Sequence, residues 1–338
     1  PGIRSEPITL YSVSRNGDSR WLAVYDSHPE PSVSECEVIL KKNEIIRPDA
    51  TRLIRTRPGW NGNANATREG VPGFALNWLE LEGPLQDEWP PASFTAVAGN
   101  MPFKLEGGVK LVSENANSDA RKLLLEFMKR MYRRPVGKGE VDAYLKIFER
   151  SQILGQDFTD SIIAACATIL CSSDFLYLDA DPGQLDPGQL ASRLSFFLWN
   201  SPPDKMLAQA NLLANPESLS KQTDRLLNDP RAERFVNSFL DYWLDLRDIL
   251  ANAPDAVLYP EYYLDDQLTE ASVFETRAFF TELIANNLPA RNLIDSDFIF
   301  ANERLAKLYE LVTFEGIKLR KVSLPKDSPR GGLMTQAS

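Results

Sequence analysis

Residues 185–200, LDPGQLASRLSFFLWN, constrain the fold of this chain more than any other stretch. The segment carries its own helix start. Asp186 can cap the first turn, and Pro187 suits the first helical position, where a backbone N–H has no partner to lose. Leu190, Leu194, Phe197 and Leu198 fall at i, i+4, i+7 and i+8, one face of a helix, and Phe196 and Trp199 widen it. A helix this apolar is expected to be covered on most sides. Arg193 stands inside it as a fixed charge, which calls for an acidic partner or a route to solvent. Glu275, set among apolar positions in Glu275-Thr276-Arg277, is the candidate partner. Such an internal ion pair serves to specify a fold more than to perform chemistry. If Arg193 pairs with a buried acid, Arg193→Met is expected to cost about 3 kcal/mol or more.

The rest of the chain reads as two regimes. Before residue 100, short β-branched or aromatic runs at 8–13, 21–25, 33–40 and 74–81 are separated by turn residues, and Asn16-Gly17 is a hairpin signal. They predict a β-sandwich or part of one, lacking its first strands. The polar, Gly/Asn-rich stretch 59–70 predicts a loop. Trp60, Asn61 and Asn63 in it could contact a glycan by stacking and hydrogen bonding, against the plainer reading of a surface loop. After a Pro-rich connector the period becomes helical. Helices are predicted from Ser118 to Arg134, over 139–151 and over 157–171, followed by an extended piece at 175–178. Beyond the central helix, Asp204 lies in the first turn of a short helix. Asn215-Pro216 and Asp229-Pro230 repeat the cap-then-proline start. The second of these opens a helix whose Phe235, Phe239, Trp243 and Leu246 predict a core stripe. A long helix over 264–287, a short one over 302–311 and a basic, extended tail over 318–338 complete the chain. The fold class is therefore mostly α with an N-terminal β part: a partial β-sandwich followed by an all-α helical bundle.

Composition narrows the function classes. The net charge of −10 disfavours a nucleic-acid partner, since phosphate binding needs a basic surface. No apolar run is long enough to span a membrane. The single histidine, His28, lies in the Pro-rich turn YDSHPEP, and its being alone removes multi-histidine metal sites. Any Ser-His-Asp triad would need it as base. Cys36, Cys166 and Cys171 form no C-x-x-C, and Cys166 and Cys171 read as small buried hydrophobes. In DADPGQLDPGQL, Asp179, Asp181 and Asp186 could offer oxygens to calcium, but Pro182 and the missing bidentate Glu favour capping and turn chemistry. Asp241, Asp245, Asp265, Asp266, Glu270 and Glu275 could hold a carboxylate pair for glycoside hydrolysis, although a chance cluster is expected among 47 acidic residues.

Several segments carry a resemblance: YRRPVGKGEVDAYLKIF, LASRLSFFLWNSPPDKML, NDPRAERFVNSFLDYWL, FANERLAKLY and RGGLMTQAS. They resemble, in order and over roughly residues 80–338, the consecutive domains of unknown function in the large planctomycete-type cytochrome c proteins. LELEGPLQDEWPP is similar to the region just before the helical part of those proteins. Arg193, Trp199, Asp204, Asn302, Arg330, Gly331 and Gly332 are the positions that match. Tyr309-Glu310 departs from a usual Tyr-Gly ending, which is expected to alter a helix stop. The resemblance implies an exported, extracytoplasmic protein with a redox-linked role. Its c-type haem would lie in another domain; this chain has no C-x-x-C-H and calls for no cofactor of its own. The chain opens PGIRSEP without a start Met and closes within RGGLMTQAS, which predicts an internal piece.

The expected domains are a sandwich-like part at 1–100, a connector at 101–117, helical domains at 118–178 and 179–317, and the start of a further domain at 318–338. Two functions follow as expectations. One is a scaffold and interaction region whose partners are other domains of the same polypeptide. The other is a carbohydrate-binding or carbohydrate-active module.

Overall fold

The computed structural model describes residues 5–338 apart from 50–52, 54–61, 64, 65, 67, 69, 86, 87, 107, 138, 179–181, 211–215, 250–253 and 313. The chain divides into two compact units, Pro1–Leu79 with Val236–Ser338, and Glu80–Phe235. It is mostly helical, with an antiparallel sheet at its N-terminal end. No helix among the described residues is long and apolar enough to cross a membrane.

In the first unit, β1 (Glu6–Val13) and β2 (Ser19–Ser27) form the hairpin expected at Asn16-Gly17. Gly17 takes φ +87° and donates its N–H to Ser14 O at 3.1 Å, a left-handed conformation that costs glycine nothing. β3 (Ile45–Asp49) pairs with the other edge of β1, giving the order β2-β1-β3. The runs 33–40 and 74–81, expected as strands, are irregular. Their apolar side chains face water, with Ile39 82% and Trp78 58% exposed, so alternation there has no packed face to serve.

The second unit begins with α1 (Ala92–Ala98) and a hairpin of β4 (Phe103–Leu105) and β5 (Val109–Leu111), where only a connector was expected. Its strands are three residues long, too short to show a period. Thr159 Oγ1 accepts the Leu111 N–H at 2.8 Å, fixing the hairpin to the helices. Then come α2 (Ala116–Tyr132), α3 (Glu140–Ile153) and α4 (Phe158–Leu170). The cap of α2 is Asn115, not Ser118: Asn115 Oδ1 accepts the Ser118 N–H at 3.2 Å. Such caps stabilise a helix by about 1 kcal/mol. Leu124, Met128, Phe148, Ile162 and Ile169 fill the core among the three helices, and Cys166 is buried with them. α5 (Ser173–Leu176) replaces the expected extended piece, because Ser172 O accepts from the N–H groups of Phe175 and Leu176.

α6 (Pro187–Trp199) has the expected start, strengthened by a reciprocal bond: Gln189 Oε1 accepts the Asp186 N–H at 3.0 Å. Its buried face is different from the one expected. Ala191, Ser192, Ser195, Leu198 and Trp199 are buried, while Phe197 is 63% exposed. Small residues on that face let neighbouring segments approach closely. α7 (Lys205–Gln209), α8 (Pro216–Leu227), a 3-10 turn at Pro230–Ala232 and α9 (Glu233–Trp243) follow. Asn215 lies outside the described residues; Asp229 caps the turn before α9 through the Arg231 N–H at 2.9 Å.

The aromatic stripe of α9 is not a core stripe. Val236 and Leu240 are buried, whereas Phe239 and Trp243 remain partly in water and pack with Phe280, centroids 5.5 and 6.3 Å away. α10 (Pro260–Leu264) precedes α11 (Asp266–Ala285), the long helix. β6 (Phe298–Ala301), α12 (Glu303–Leu308) and β7 (Arg320–Ser323) complete the first unit, to which the chain returns at Val236, with β6 and β7 antiparallel. Leu268, Ala271, Ile299, Ala301, Leu305 and Tyr309 form one core of this unit, and Phe279, Leu283 and Phe298 another. At the end of α12 the Leu311 N–H bonds Ala306 O and the Glu310 N–H bonds Lys307 O, with Glu310 at φ +54°. This is a helix stop that glycine serves better, at the residue where the family-like pattern departs.

Candidate functional site

On α11 the buried residues Leu268, Ala271, Ser272, Glu275, Thr276, Phe279 and Leu283 follow helical spacing. Glu275 and Thr276 therefore sit mid-stripe as polar groups in an apolar face. Glu275 Oε2 accepts the Tyr309 hydroxyl at 2.5 Å and, at 3.4 Å, the Ala337 N–H. Its other oxygen, Oε1, has no hydrogen-bond partner among the described residues. Burial pushes the Glu275 carboxyl up to about 7, against the opposing pull of Tyr309, the Ala337 N–H and Arg330. Burial, followed by the Glu275 charge, also raises the Tyr309 hydroxyl far above its usual value.

The segment RGGLMTQAS closes this site. The Arg330 guanidinium lies 3.9 Å over the Tyr309 ring and donates to Thr335 O at 2.7 Å. Gly331 N–H donates to Thr335 Oγ1 at 2.8 Å. A Cβ on Gly331 would stand 2.6 Å from Ser296 O, and one on Gly332 2.6 Å from Ile294 O, so both positions exclude larger residues. Thr276 Oγ1 bonds Gln336 Oε1 and Ser338 Oγ, each at 2.6 Å, and Tyr262 donates to Ala337 O at 3.3 Å.

The other unit holds a second polar cluster, around Trp199. The ring is fully buried and its Nε1–H donates to Leu226 O at 2.9 Å. Arg231 stacks on it at 3.4 Å and Arg225 lies at 5.5 Å. Asp204 accepts two bonds from Arg225, at 2.8 and 3.1 Å, and caps α7 through the Leu207 N–H at 2.8 Å. Burial opposes the Asp204 charge, yet the Arg225 bonds and the Leu207 N–H hold its carboxyl below the usual range. Asp229 is lowered to about 2 by the side chain and backbone N–H of Arg231.

The remaining candidates are placed singly. Arg193 is exposed and donates to Leu178 O at 3.2 Å, so of its two expected outcomes it takes the route to solvent, and the carboxyl of Glu275 has Tyr309 as its partner. Asn302 caps α12 through the N–H groups of Arg304 and Leu305 and donates to Ile317 O at 3.3 Å. Asn63 donates to Leu53 O at 3.3 Å; Trp60, Asn61, Asp179 and Asp181 lie outside the described residues. His28 is exposed, with Nδ1 2.9 Å from Ser5 Oγ, while the nearby acid Asp26 accepts the Ile317 N–H at 3.0 Å. The proposed hydrolytic carboxylates are engaged in fold contacts: Asp241 with Arg277, Asp245 with Arg247, Asp265 with Arg304, and Glu270 with Gln267. Among the described residues no group of three or more His, Cys, Asp or Glu could hold a metal ion. Sequence reasoning missed Tyr309 and Ala337 as partners of Glu275, Gln336 and Ser338 as partners of Thr276, and Arg225 and Arg231 as partners of Trp199. Only Asp229-Pro-Arg231, a local acid–base pair, was there to be noticed.

Both clusters overlap matched family regions. Residues 185–311 match the PSD4 family, described as "Protein of unknown function (DUF1592)", and residues 119–179 match PSD5, "Protein of unknown function (DUF1595)". Arg193, Trp199, Asp204, Glu275 and Asn302 fall within the first match. No curated protein and no solved structure matches the chain.

Proposed function

We propose that this chain is a scaffold and interaction region of an exported, multi-domain c-type cytochrome-like protein, holding a haem domain against other domains of the same polypeptide. One observation carries the scaffold reading. The buried polar side chains at Trp199, Glu275 and Asn302 all make contacts that join one segment of the fold to another: a ring clamp, a docked segment and a helix cap. Resemblance of the segments at 132–148, 190–207, 228–244, 300–309 and 330–338 to the planctomycete-type proteins supports the haem partner and the extracytoplasmic location. The consecutive matches at 119–179 and 185–311 support reading 118–178 and 179–317 as separate modules.

The test is an absorption spectrum, oxidised and reduced, of the protein made from its complete reading frame in a host that matures c-type haem. A Soret band with reduction-dependent α and β bands is expected. A featureless spectrum from the folded full-length protein would remove the haem partner.

A further inference from the structure

The geometry points to the segment 330–338 being a latch that Glu275 holds in its neutral form and releases when it ionises. Three features of the site carry this. Glu275 is fully buried, and its Oε1 has no donor among the described residues. As a neutral acid this oxygen is tolerable; as half of a carboxylate it needs water or an N–H that the closed site does not offer. The segment itself contacts the acid through the Ala337 N–H, so lifting the segment is the direct way to hydrate it.

The charges facing Glu275 are few. α12 brings Tyr309, α10 brings Tyr262, and the segment brings Arg330, whose guanidinium is stacked on Tyr309 and directed at Thr335 O. β6 contributes apolar Ile299 and Ala301 to the core beside α11. On α11 itself Arg277 is paired with Asp241 at 2.8 Å and Glu282 with Lys321 at 2.5 Å. Arg304 of α12 is turned to Asp265 at 3.1 Å. Arg330 is thus the cation that favours the carboxylate, and it leaves with the segment.

The segment also holds together as a piece, through Arg330 to Thr335 O and the Gly331 N–H to Thr335 Oγ1. The glycines at 331 and 332 press on the loop at 293–296 without side chains. The segment's other contacts are Thr276 with Gln336 and Ser338, Tyr262 with Ala337 O, Arg330 over Tyr309, and Leu333 and Ala337 against the apolar cores. Glu275 favours its proton when buried and loses it near pH 4.5 when hydrated. Between those limits the open form gains on the closed one by about tenfold per pH unit, then levels off.

Hydrogen–deuterium exchange of the full chain from pH 5 to 8, corrected for the intrinsic chemistry of exchange, tests this. Protection of the amides at 331–338 should fall about tenfold per pH unit up to about 7 and then stay level. In Glu275→Gln it should not change with pH. The amides of α2, α3 and α4 give an internal reference, which serves even if the variant fails to fold. Loss confined to 331–338 in the wild type supports the latch. Loss shared by the reference amides, flat protection in the wild type, or unaltered pH dependence in Glu275→Gln would each overturn it.

Discussion

The clusters at Trp199 and Glu275 bury polar groups in opposite ways. Around Trp199 each charge meets its opposite within the same stretch of chain: Asp204 with Arg225, Asp229 with Arg231, and both cations on the indole. Both carboxyls are held below the usual range, Asp229 at about 2, so this cluster keeps its charges through the pH range where ordinary carboxylates protonate. Around Glu275 the partners come from 34 and 62 residues away, one oxygen goes unpaired, and the carboxyl is held high. Polar burial with complete pairing makes a rigid joint. Polar burial with incomplete pairing makes a joint whose strength depends on a proton.

Removing the ring at the paired cluster has the largest expected effect. Trp199→Ala deletes a fully buried indole, leaving Leu226 O without its donor and two arginines without the ring they lie on, which should cost about 3–5 kcal/mol by chemical denaturation. A loss below about 1 kcal/mol would remove the contrast from that side.

The next effect is the pH dependence at the unpaired cluster. The folded Glu275 carboxyl is raised from 4.5 to about 7, so the folded state binds the extra proton between those values. Its contribution is fully present below about 4.5 and is lost as pH rises towards 7, a fall of about 3 kcal/mol for a shift of this size. Glu275→Gln should remove that slope, seen by comparing denaturation midpoints at pH 4.5 and 7.5.

A smaller effect tests the end of α12, whose capping residue is Tyr309. Glu310 holds φ +54°, so Glu310→Gly should stabilise by about 1 kcal/mol, read as a raised denaturation midpoint. A loss of stability would mean that the Glu310 side chain does something beyond completing the turn. The smallest effect belongs to Arg193. Exposed, with a single bond to a carbonyl, its change to Met should alter stability by less than about 0.5 kcal/mol. A loss near 3 kcal/mol would restore it as a buried charge.

Legibility in the sequence followed the range of the interaction. The start of α6 is a cap set by one side chain and an N–H three residues on, and Asp186 shows it without any tertiary context. Asp157 and Asp204 cap α4 and α7 in the same way, Asp204 standing just before the helix whose first turn it was expected to occupy. The Asn16-Gly17 turn is local in the same sense. Periodicity did less well, because it says which residues could share a face and not whether that face is covered. Hence Phe197 and Phe239 were expected inside and are found exposed and partly exposed, and the run 33–40, expected as a strand, is irregular and in water. Glu275 stood out as a polar residue in an apolar stripe, but its partners Tyr309 and Ala337 are set by the path of the whole chain and leave no mark in the spacing.

The most direct measurement is the titration of the Glu275 carboxyl carbon itself, followed by NMR in the labelled full chain and assigned with Glu275→Gln. A midpoint near 7 is expected, together with a parallel shift in the Ala337 amide as the proton leaves. A midpoint near 4.5 would show a carboxyl that is hydrated in the folded protein, and the distinction between the two clusters would collapse.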